Sequence, residues 1–233
     1  MLHPDTQLRY LNAEVGHGVF ATAAIPRGTI VWVRDCLDQE FTREQLSQFP
    51  AVYQDLVRRY TFLTAAGTNL LCWDGGRLMN HSCQPSCAGT HLGFEVAIRD
   101  LEPGAELTND YATLSLTEAE FFSCHCHSPV CRGLITSEAS PEIEASLAMQ
   151  LREALPLALT LPQPLWPLIN PVQVCQAFER LALSRPAWLE IQAESCTTNV
   201  FRLASTPPRP GRKSVPAQTV LEQSAVQQPT LRV

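Results

Sequence analysis

The sequence predicts a mainly β protein with helices, of the α+β class, in which short strands come first and helices follow. Two observations support this. In residues 1–110 the hydrophobic side chains fall in short runs separated by turn residues, which is typical of strands. Residues 140–195 are instead rich in Ala, Leu, Glu and Gln, with helical spacing at Leu147, Leu151 and Leu155. The 233 residues suffice for one sizeable domain with an appendage.

The strand predictions rest on short apolar runs. Three of them, LRYL, GVFA and TIVWVR, lie within residues 7–34, and NLLCW occupies residues 69–73. ELT follows the turn Pro103-Gly104 as a last strand. In residues 92–98, which lie between NLLCW and ELT, every second residue is apolar, and this pattern predicts a half-buried strand. The alternating residues are Leu92, Phe94, Val96 and Ile98.

The helix predictions rest on caps and breaks. Thr42 followed by Gln45 fits a capping box at the start of a helix. Pro50 is expected to divide the following helical pattern in two. A later helix is predicted over about residues 172–183. From residue 205 onward Pro, Gln, Ser and Thr dominate, so we predict a disordered tail.

The charge distribution bears on possible partners. The formal net charge is −6, and residues 1–136 hold 15 acidic and 9 basic residues, so this part carries all of it. Such a surface disfavours nucleic-acid binding and favours a basic peptide as partner. The same balance also fits a protein whose charge serves only solubility.

Cysteine content and hydropathy indicate the compartment. The chain shows no apolar run near the ~20 residues of a membrane span and no signal-peptide pattern. We therefore expect an intracellular protein, cytoplasmic or, in a eukaryote, nuclear. Nine cysteines are an odd number, and clustered cysteines in a reducing compartment more often bind metal than form disulfides.

The segment GHGVFA at residues 16–21 matches the dinucleotide pattern GxGxxA. A Rossmann site needs a helix directly after the glycines, but Pro26 and Gly28 stop any helix here. We reject that interpretation. The glycines either allow close approach of the backbone to a ligand or form a plain hairpin turn.

A metal site is predicted at Cys124-x-Cys126-x4-Cys131. Structural zinc takes four ligands in tetrahedral geometry and favours thiolates. Three cysteines leave one position, which Cys83 can fill if the fold brings it near; His125 or His127 is the local alternative. A coincidental cluster of free thiols is the remaining interpretation.

Two further segments carry polar side chains that could take part in binding or catalysis. They are RLMNHSCQPSC at residues 77–87 and ELTNDY at residues 106–111. Together and in order, the four segments resemble the SET-domain methyltransferases with a post-SET zinc motif. GHG resembles the family's GxG, MNHSCQPS its NHSCxPN, ELTNDY its ELTFDY and CHCHSPVCRG its CxCx4C. The resemblance covers roughly residues 5–136 and is closest to small, bacterial-type members.

The resemblance implies a fold of small curled β-sheets with a pseudoknot, formed by the NHSC segment and the last strand. It also implies a protein-lysine methyltransferase that uses S-adenosylmethionine (AdoMet) and binds Zn²⁺. Tyr111 would be catalytic. The other implied residues are Gly16, His17, Gly18, Asn80, His81 and Tyr111 for the cofactor, and Cys83, Cys124, Cys126 and Cys131 for zinc. We expect a SET domain at 1–123, a post-SET zinc knuckle at 124–136, a helical extension at 137–204 and the tail at 205–233.

In the family, a narrow channel holds the substrate lysine. The chain departs from the family pattern at positions that are expected to line this channel. Asn109 stands where the family usually has Phe or Tyr, a position that tunes how many methyl groups are added. The family's second channel tyrosine is missing from VWVRDCL, where Trp32 is the candidate replacement, and Ser86 stands for the asparagine of NHSCxPN. These departures leave open a catalytically silent SET module that binds AdoMet or a peptide. A zinc-stabilised scaffold without cofactor is a third interpretation.

The tail contains the only lysine of the chain, Lys213, within Arg212-Lys213-Ser214. This tripeptide resembles methylated sites of histone tails. One hypothesis is that Lys213 acts as a pseudosubstrate or is automethylated; a chance basic tripeptide is the other.

Overall fold

The structure is a computed structural model, and it describes residues 1–64, 66–113, 121–136 and 139–194. The predicted disordered tail and Lys213 lie outside these ranges. The strands are short and are concentrated before residue 110. They are β1 (Thr6–Asn12), β2 (Gly16–Ala21), β3 (Ile30–Val33), β4 (Gln39–Phe41), β5 (Thr61–Leu63), β6 (Asn69–Leu71), β7 (Asn80–His81), β8 (Cys87–Gly89), β9 (Phe94–Ala97), β10 (Glu106–Asn109), β11 (Phe122–Ser123) and β12 (Leu134–Ile135).

The helices fall into an early pair and a late group. They are α1 (Arg43–Ser47), α2 (Ala51–Tyr60), α3 (Pro141–Ala154) and α4 (Pro171–Arg180), with a further helical segment at 187–194. The predicted capping box is present, since Thr42 Oγ1 accepts from the Gln45 amide and Gln45 Oε1 accepts from the Thr42 amide. Pro50 separates α1 from α2, as predicted. The helix predicted over 172–183 is α4.

Among the described residues the strands form four small sheets, ordered β1-β2-β10-β7, β3-β9-β8, β4-β6-β5 and β11-β12. In the first sheet β10 pairs antiparallel with β2 and parallel with β7. Thr108 lies opposite Asn80, and Asn109 lies opposite His81. The GHG, NHSC and ELTNDY segments are therefore adjacent strands of one sheet, which the sequence spacing alone does not require.

The prediction of a half-buried strand at β9 was wrong, because all four of its residues are buried. Phe94 and Val96 pack into a core with α3, α4 and the turns between them, whereas Ala97 packs into a second core behind β2 and β10. The sheet is thus covered on both faces. Alternation along the strand signals only that the two faces differ.

The late helices belong to the main hydrophobic core. Leu151, Leu155 and Phe178 are buried against Ile30 and Phe94 of the β3-β9-β8 sheet. At about 25 cal/mol for each Å² of apolar surface removed from water, such burial makes this segment a substantial part of the fold's stability. In the described ranges we find no helix with the length and apolarity required to traverse a bilayer.

Candidate cofactor and metal site

Asn80 joins the three adjacent motif segments. Its Nδ2 donates to the His17 carbonyl oxygen at 3.1 Å and to Glu106 Oε1 at 2.8 Å. A Cβ on Gly18 would collide with Glu106 Oε1 and lie 2.9 Å from Asn80 Nδ2. A larger residue at position 18 would therefore displace the Glu106 carboxylate or the Asn80 amide. Gly16 opens the strand with a φ of +84°, a left-handed conformation that also favours glycine.

An open pocket of about 470 Å³ lies beside this junction and includes His17 in its lining. Its walls combine aromatic, aliphatic and polar side chains, and Tyr60, Cys72 and Arg77 are among them. The volume falls in the range of small-molecule and cofactor sites. The pocket therefore has room for a ligand of a cofactor's size, whereas Gly18 packs against protein side chains and is not part of the pocket lining.

Tyr111 lies just after β10, at the start of a 3₁₀ turn. Its hydroxyl donates to the Met79 carbonyl oxygen at 2.6 Å. Burial raises the pKa of Tyr111 well above its ordinary value, and the negative charges of Glu95 and Glu106 raise it further. The phenol is therefore neutral at physiological pH, and its oxygen retains lone pairs that can accept a hydrogen bond.

His81 connects Tyr111 to the cysteine cluster. Its Nδ1 accepts from the Tyr111 backbone N–H at 3.1 Å, so the ring proton of the neutral imidazole lies on Nε2. Nε2 is 3.4 Å from Cys83 Sγ. Burial lowers the pKa of His81 to about 4, with Asp110 opposing this shift and Arg132 adding to it. The neutral imidazole can therefore donate to a thiolate at Cys83.

The four predicted cysteines come together. The sulfur atoms of Cys83, Cys124, Cys126 and Cys131 all lie within 4.8 Å of one another. The Cys83–Cys124 sulfur separation is 3.8 Å. A tetrahedron with Zn–S bonds of ~2.3 Å has edges of about 3.8 Å, so this donor set fits zinc. The alternative ligand His125 faces away, with its Nε2 3.3 Å from Glu14 Oε1.

Arg132 and Asp110 surround this cluster and were not singled out from the sequence. The Arg132 amide and Nε lie 3.4 and 3.3 Å from Cys83 Sγ. Arg132 Nη2 donates to Asp110 Oδ1 at 2.6 Å. Their position next to Cys131 and Tyr111 was the only sequence signal. Donors around a thiolate and a carboxylate that fixes them are what a metal site uses to orient its ligands.

A buried polar pair occupies the predicted channel position. Asn109 Nδ2 donates to Glu95 Oε2 at 2.8 Å, and both side chains are buried. Burial raises the pKa of Glu95 to about 7, although the hydrogen bond from Asn109 lowers it. Asn109 Oδ1 and Trp32 Nε1 are buried without a hydrogen-bond partner among the described residues. Trp32 lies opposite Glu95 across the β3–β9 pair.

Comparison with known proteins identifies the fold family. Residues 16–112 match the family model of the SET domain. This part of the chain has the SET-domain fold, as the sequence motifs indicated. This match spans the four adjacent features described above: the glycine segment, the NHSC strand, β10 and Tyr111.

Several curated relatives share part of the chain. It is 28% identical over 156 residues to histone-lysine N-methyltransferase ash1 of Drosophila melanogaster, which covers 59% of this chain and 7% of that protein. It is 26% identical over 140 residues to histone-lysine N-methyltransferase ASHH2 of Arabidopsis thaliana (54% and 8%). Methyltransferase flvH of Aspergillus flavus is 36% identical over 87 residues (36% and 48%). The chain thus spans less than half the length of each of these relatives.

Proposed function

We propose that the chain is a protein-lysine N-methyltransferase, which transfers a methyl group from AdoMet to the side-chain amine of a lysine in a protein substrate. The observation that carries the proposal is the Tyr111–Met79 hydrogen bond. It holds a neutral phenol oxygen beside the strand pair that joins Asn80 and His81 to β10. The relatives named as histone-lysine methyltransferases support the same reaction class.

AdoMet would be held by the backbone of Gly16, His17 and Gly18 and by Asn80 and His81. When bound, it supplies a methyl group made electrophilic by the sulfonium. The pocket lined by His17 offers the volume. Asn80 Nδ2 already donates to the His17 carbonyl oxygen and to Glu106 Oε1. Its role would therefore be to hold the backbone at His17 in place beside AdoMet.

The substrate amine must be neutral to react, whereas a free lysine has a pKa of ~10.4. Burial in a narrow site disfavours the ammonium form. The Tyr111 oxygen would accept one N–H of the amine, because its own proton is committed to Met79. Alignment of the nitrogen lone pair and preorganised dipoles would supply much of the acceleration.

Zinc would be held by the four cysteine sulfurs and would have a structural role. Four thiolates leave no open position for a substrate. The path from Cys83 through His81 to the Tyr111 amide would let the metal fix the backbone beside the catalytic hydroxyl. The negative net charge of residues 1–136 supports a basic protein segment as substrate.

The test is transfer of labelled methyl from AdoMet into protein, with core histones, a bacterial lysate and the protein itself presented in parallel. Tyr111→Phe is compared with Tyr53→Phe, which alters an exposed tyrosine. We expect label that is lost in Tyr111→Phe and retained in Tyr53→Phe. No label in any lane from a folded, zinc-loaded preparation would overturn the enzyme and favour the silent module. Calorimetric titration with AdoMet would then establish whether that module binds it.

A further inference from the structure

A second groove, of about 350 Å³, lies between helix α3 and the cysteine cluster. One face of α3 forms its first wall, because the lining residues of that helix are three or four positions apart. They include Ile143, Ser146, Leu147 and Gln150, and the opposite wall includes Pro85 and Val130. No described residue lines both this groove and the pocket that contains His17, so the two are separate sites. We call it the α3 groove.

The side chains of the α3 groove suit an arginine. Ile143 and Leu147 are half-buried, and Val130 at the rim is 60% exposed, so an apolar surface is open to a ligand. The Gln84 and Gln150 amides of the lining carry carbonyl oxygens that can accept hydrogen bonds. Arginine combines an apolar stem with a planar group that has five N–H donors. Such a side chain can satisfy both kinds of surface at once.

The charge of the α3 groove favours a cation. Of the described residues that line it, none is Lys, Arg or His, whereas Asp110 and Glu142 are acidic. Asp110 is paired with Arg132. The Glu142 carboxylate is exposed and has no cation partner among the described residues. Hydrogen bonds from Ser140 and from its own amide lower the pKa of Glu142, so it is ionised at physiological pH.

Building on the proposed function, we infer that the α3 groove binds an arginine-bearing basic segment of the substrate protein, at a position other than the target lysine. The arginine stem packs on Leu147 and Val130, and its guanidinium donates to the Glu142 carboxylate. Asp110 connects this groove to the proposed reaction site, because it lies in the groove lining and directly precedes Tyr111. That continuity favours the substrate over an unrelated partner as the occupant.

A peptide without lysine tests the groove independently of methyl transfer. The probe is a fluorescein-labelled peptide of repeating Ala-Arg-Gly units, and its control carries uncharged citrulline in place of every arginine. Fluorescence anisotropy measures the binding of each peptide to the full chain. We expect tighter binding of the arginine peptide, weakening as salt is added, and NMR shifts at the Gln84 and Gln150 side-chain amides. Equal binding of the two peptides, or shifts confined to other regions, would overturn the inference.

Variants with matched controls locate the contact. Glu142→Gln should weaken binding of the arginine peptide about two- to fivefold, the factor that corresponds to an exposed ion pair. Val130→Ser should weaken it about fourfold, the factor for one buried CH₂ group. The controls are Glu144→Gln, an equal charge change on α3 outside the groove lining, and Val52→Ser, at an exposed valine of α2. Both should bind like the wild type. Equal losses in variants and controls would mean unspecific attraction and would sink the groove.

The kinetics of methyl transfer separate this inference from the proposed function. A groove that binds substrate and transition state equally affects KM alone, so Glu142→Gln should raise the KM for core histones about two- to fivefold at unchanged kcat. Peptide binding at the groove without any methyl transfer would refute the proposed function and leave the groove intact. Methyl transfer with the wild-type KM in both Glu142→Gln and Val130→Ser would do the reverse. If the peptide fails to bind and Val130→Ser instead dissociates a dimer in sedimentation velocity, the groove holds a second copy and the inference fails.

Discussion

Arg132 and Asp110 form an ion pair that ties the end of β10 to the cysteine cluster, with Nη2 and Oδ1 2.6 Å apart. The Asp110 side chain is 1% exposed and that of Arg132 is 23% exposed. Asp110 directly precedes Tyr111, and Arg132 directly follows Cys131. We therefore expect any change at this pair to act on the cysteine cluster and on the tyrosine together.

Arg132→Gln is expected to weaken zinc binding by about 10- to 100-fold, because Cys83 Sγ loses the Nε donor that orients it. Asp110 would also be left as an uncompensated buried charge, which costs roughly 3 kcal/mol of unfolding free energy. Zinc competition with a chromophoric chelator and urea unfolding measure the two effects. Arg34→Gln breaks a more exposed pair with Glu40 and should cost under about 1 kcal/mol. Equal effects of the two variants would contradict the assigned role of Arg132.

Removal of one predicted zinc ligand should abolish stoichiometric metal binding. Cys131 and Cys36 are both exposed, but only Cys131 belongs to the four-sulfur cluster. Cys131→Ser is expected to lose bound zinc and to unfold at lower temperature, because binding stabilises only the folded state. Cys36→Ser should keep one zinc per chain. Elemental analysis and thermal unfolding decide this, and full zinc content in Cys131→Ser would exclude the four-cysteine site.

Glu95 should make the protein less stable as pH rises through the weakly acidic range. Its pKa is about 7 in the folded chain against an ordinary value of 4.5, so the folded state binds the extra proton. The unfolding free energy therefore falls between about pH 4.5 and pH 7, by about 3 kcal/mol in total from this group. Glu95→Gln should remove that slope and be the more stable form at pH 8.

Urea unfolding of both forms at pH 5, 6, 7 and 8 measures this slope. Glu102→Gln, which alters an exposed carboxylate, serves as the control and should follow the wild type. Parallel stability curves for the wild type and Glu95→Gln would show that Glu95 titrates normally.

The late helices should be inseparable from the SET core. Leu155 is fully buried, whereas Met149 on the preceding helix is 57% exposed. Leu155→Ala is expected to cost 2–5 kcal/mol through lost burial and the cavity left behind. Met149→Ala should stay within about 0.5 kcal/mol of the wild type. Chemical unfolding of both variants gives the comparison, and a small cost at Leu155 would indicate that the extension packs loosely.

Local signals predicted much of the fold. The strands before residue 34, the capping box at Thr42 and the break at Pro50 all follow from rules that act within a few residues. No local pattern predicted β4, β5, β7, β8, β11 or β12, because each has only two or three residues. Such short segments are stabilised by partners distant in sequence, which no local pattern records.

The candidate site was predicted from spacing and from the family resemblance, and the structure brings those residues together. What the sequence could not predict was the surrounding layer. Glu95 stands at a position that alternation assigns to the opposite face from Phe94 and Val96. The residues packed on that face bury Glu95, and the fold brings Asn109 within hydrogen-bonding distance of it.

The positions of the four cysteines along the chain have a practical consequence for preparing the protein. Cys83 precedes the other three by some forty residues, and a metal joining them closes a ring that encloses β8, β9, β10 and Tyr111. Most helical residues lie outside that ring. If the four sulfurs hold zinc as proposed, a sample that lost the metal during purification would retain much of its far-ultraviolet circular dichroism, while the turn that carries Tyr111 would be loosened. Helical content is therefore a poor criterion of competence here, and each preparation should be judged by its metal-to-protein ratio.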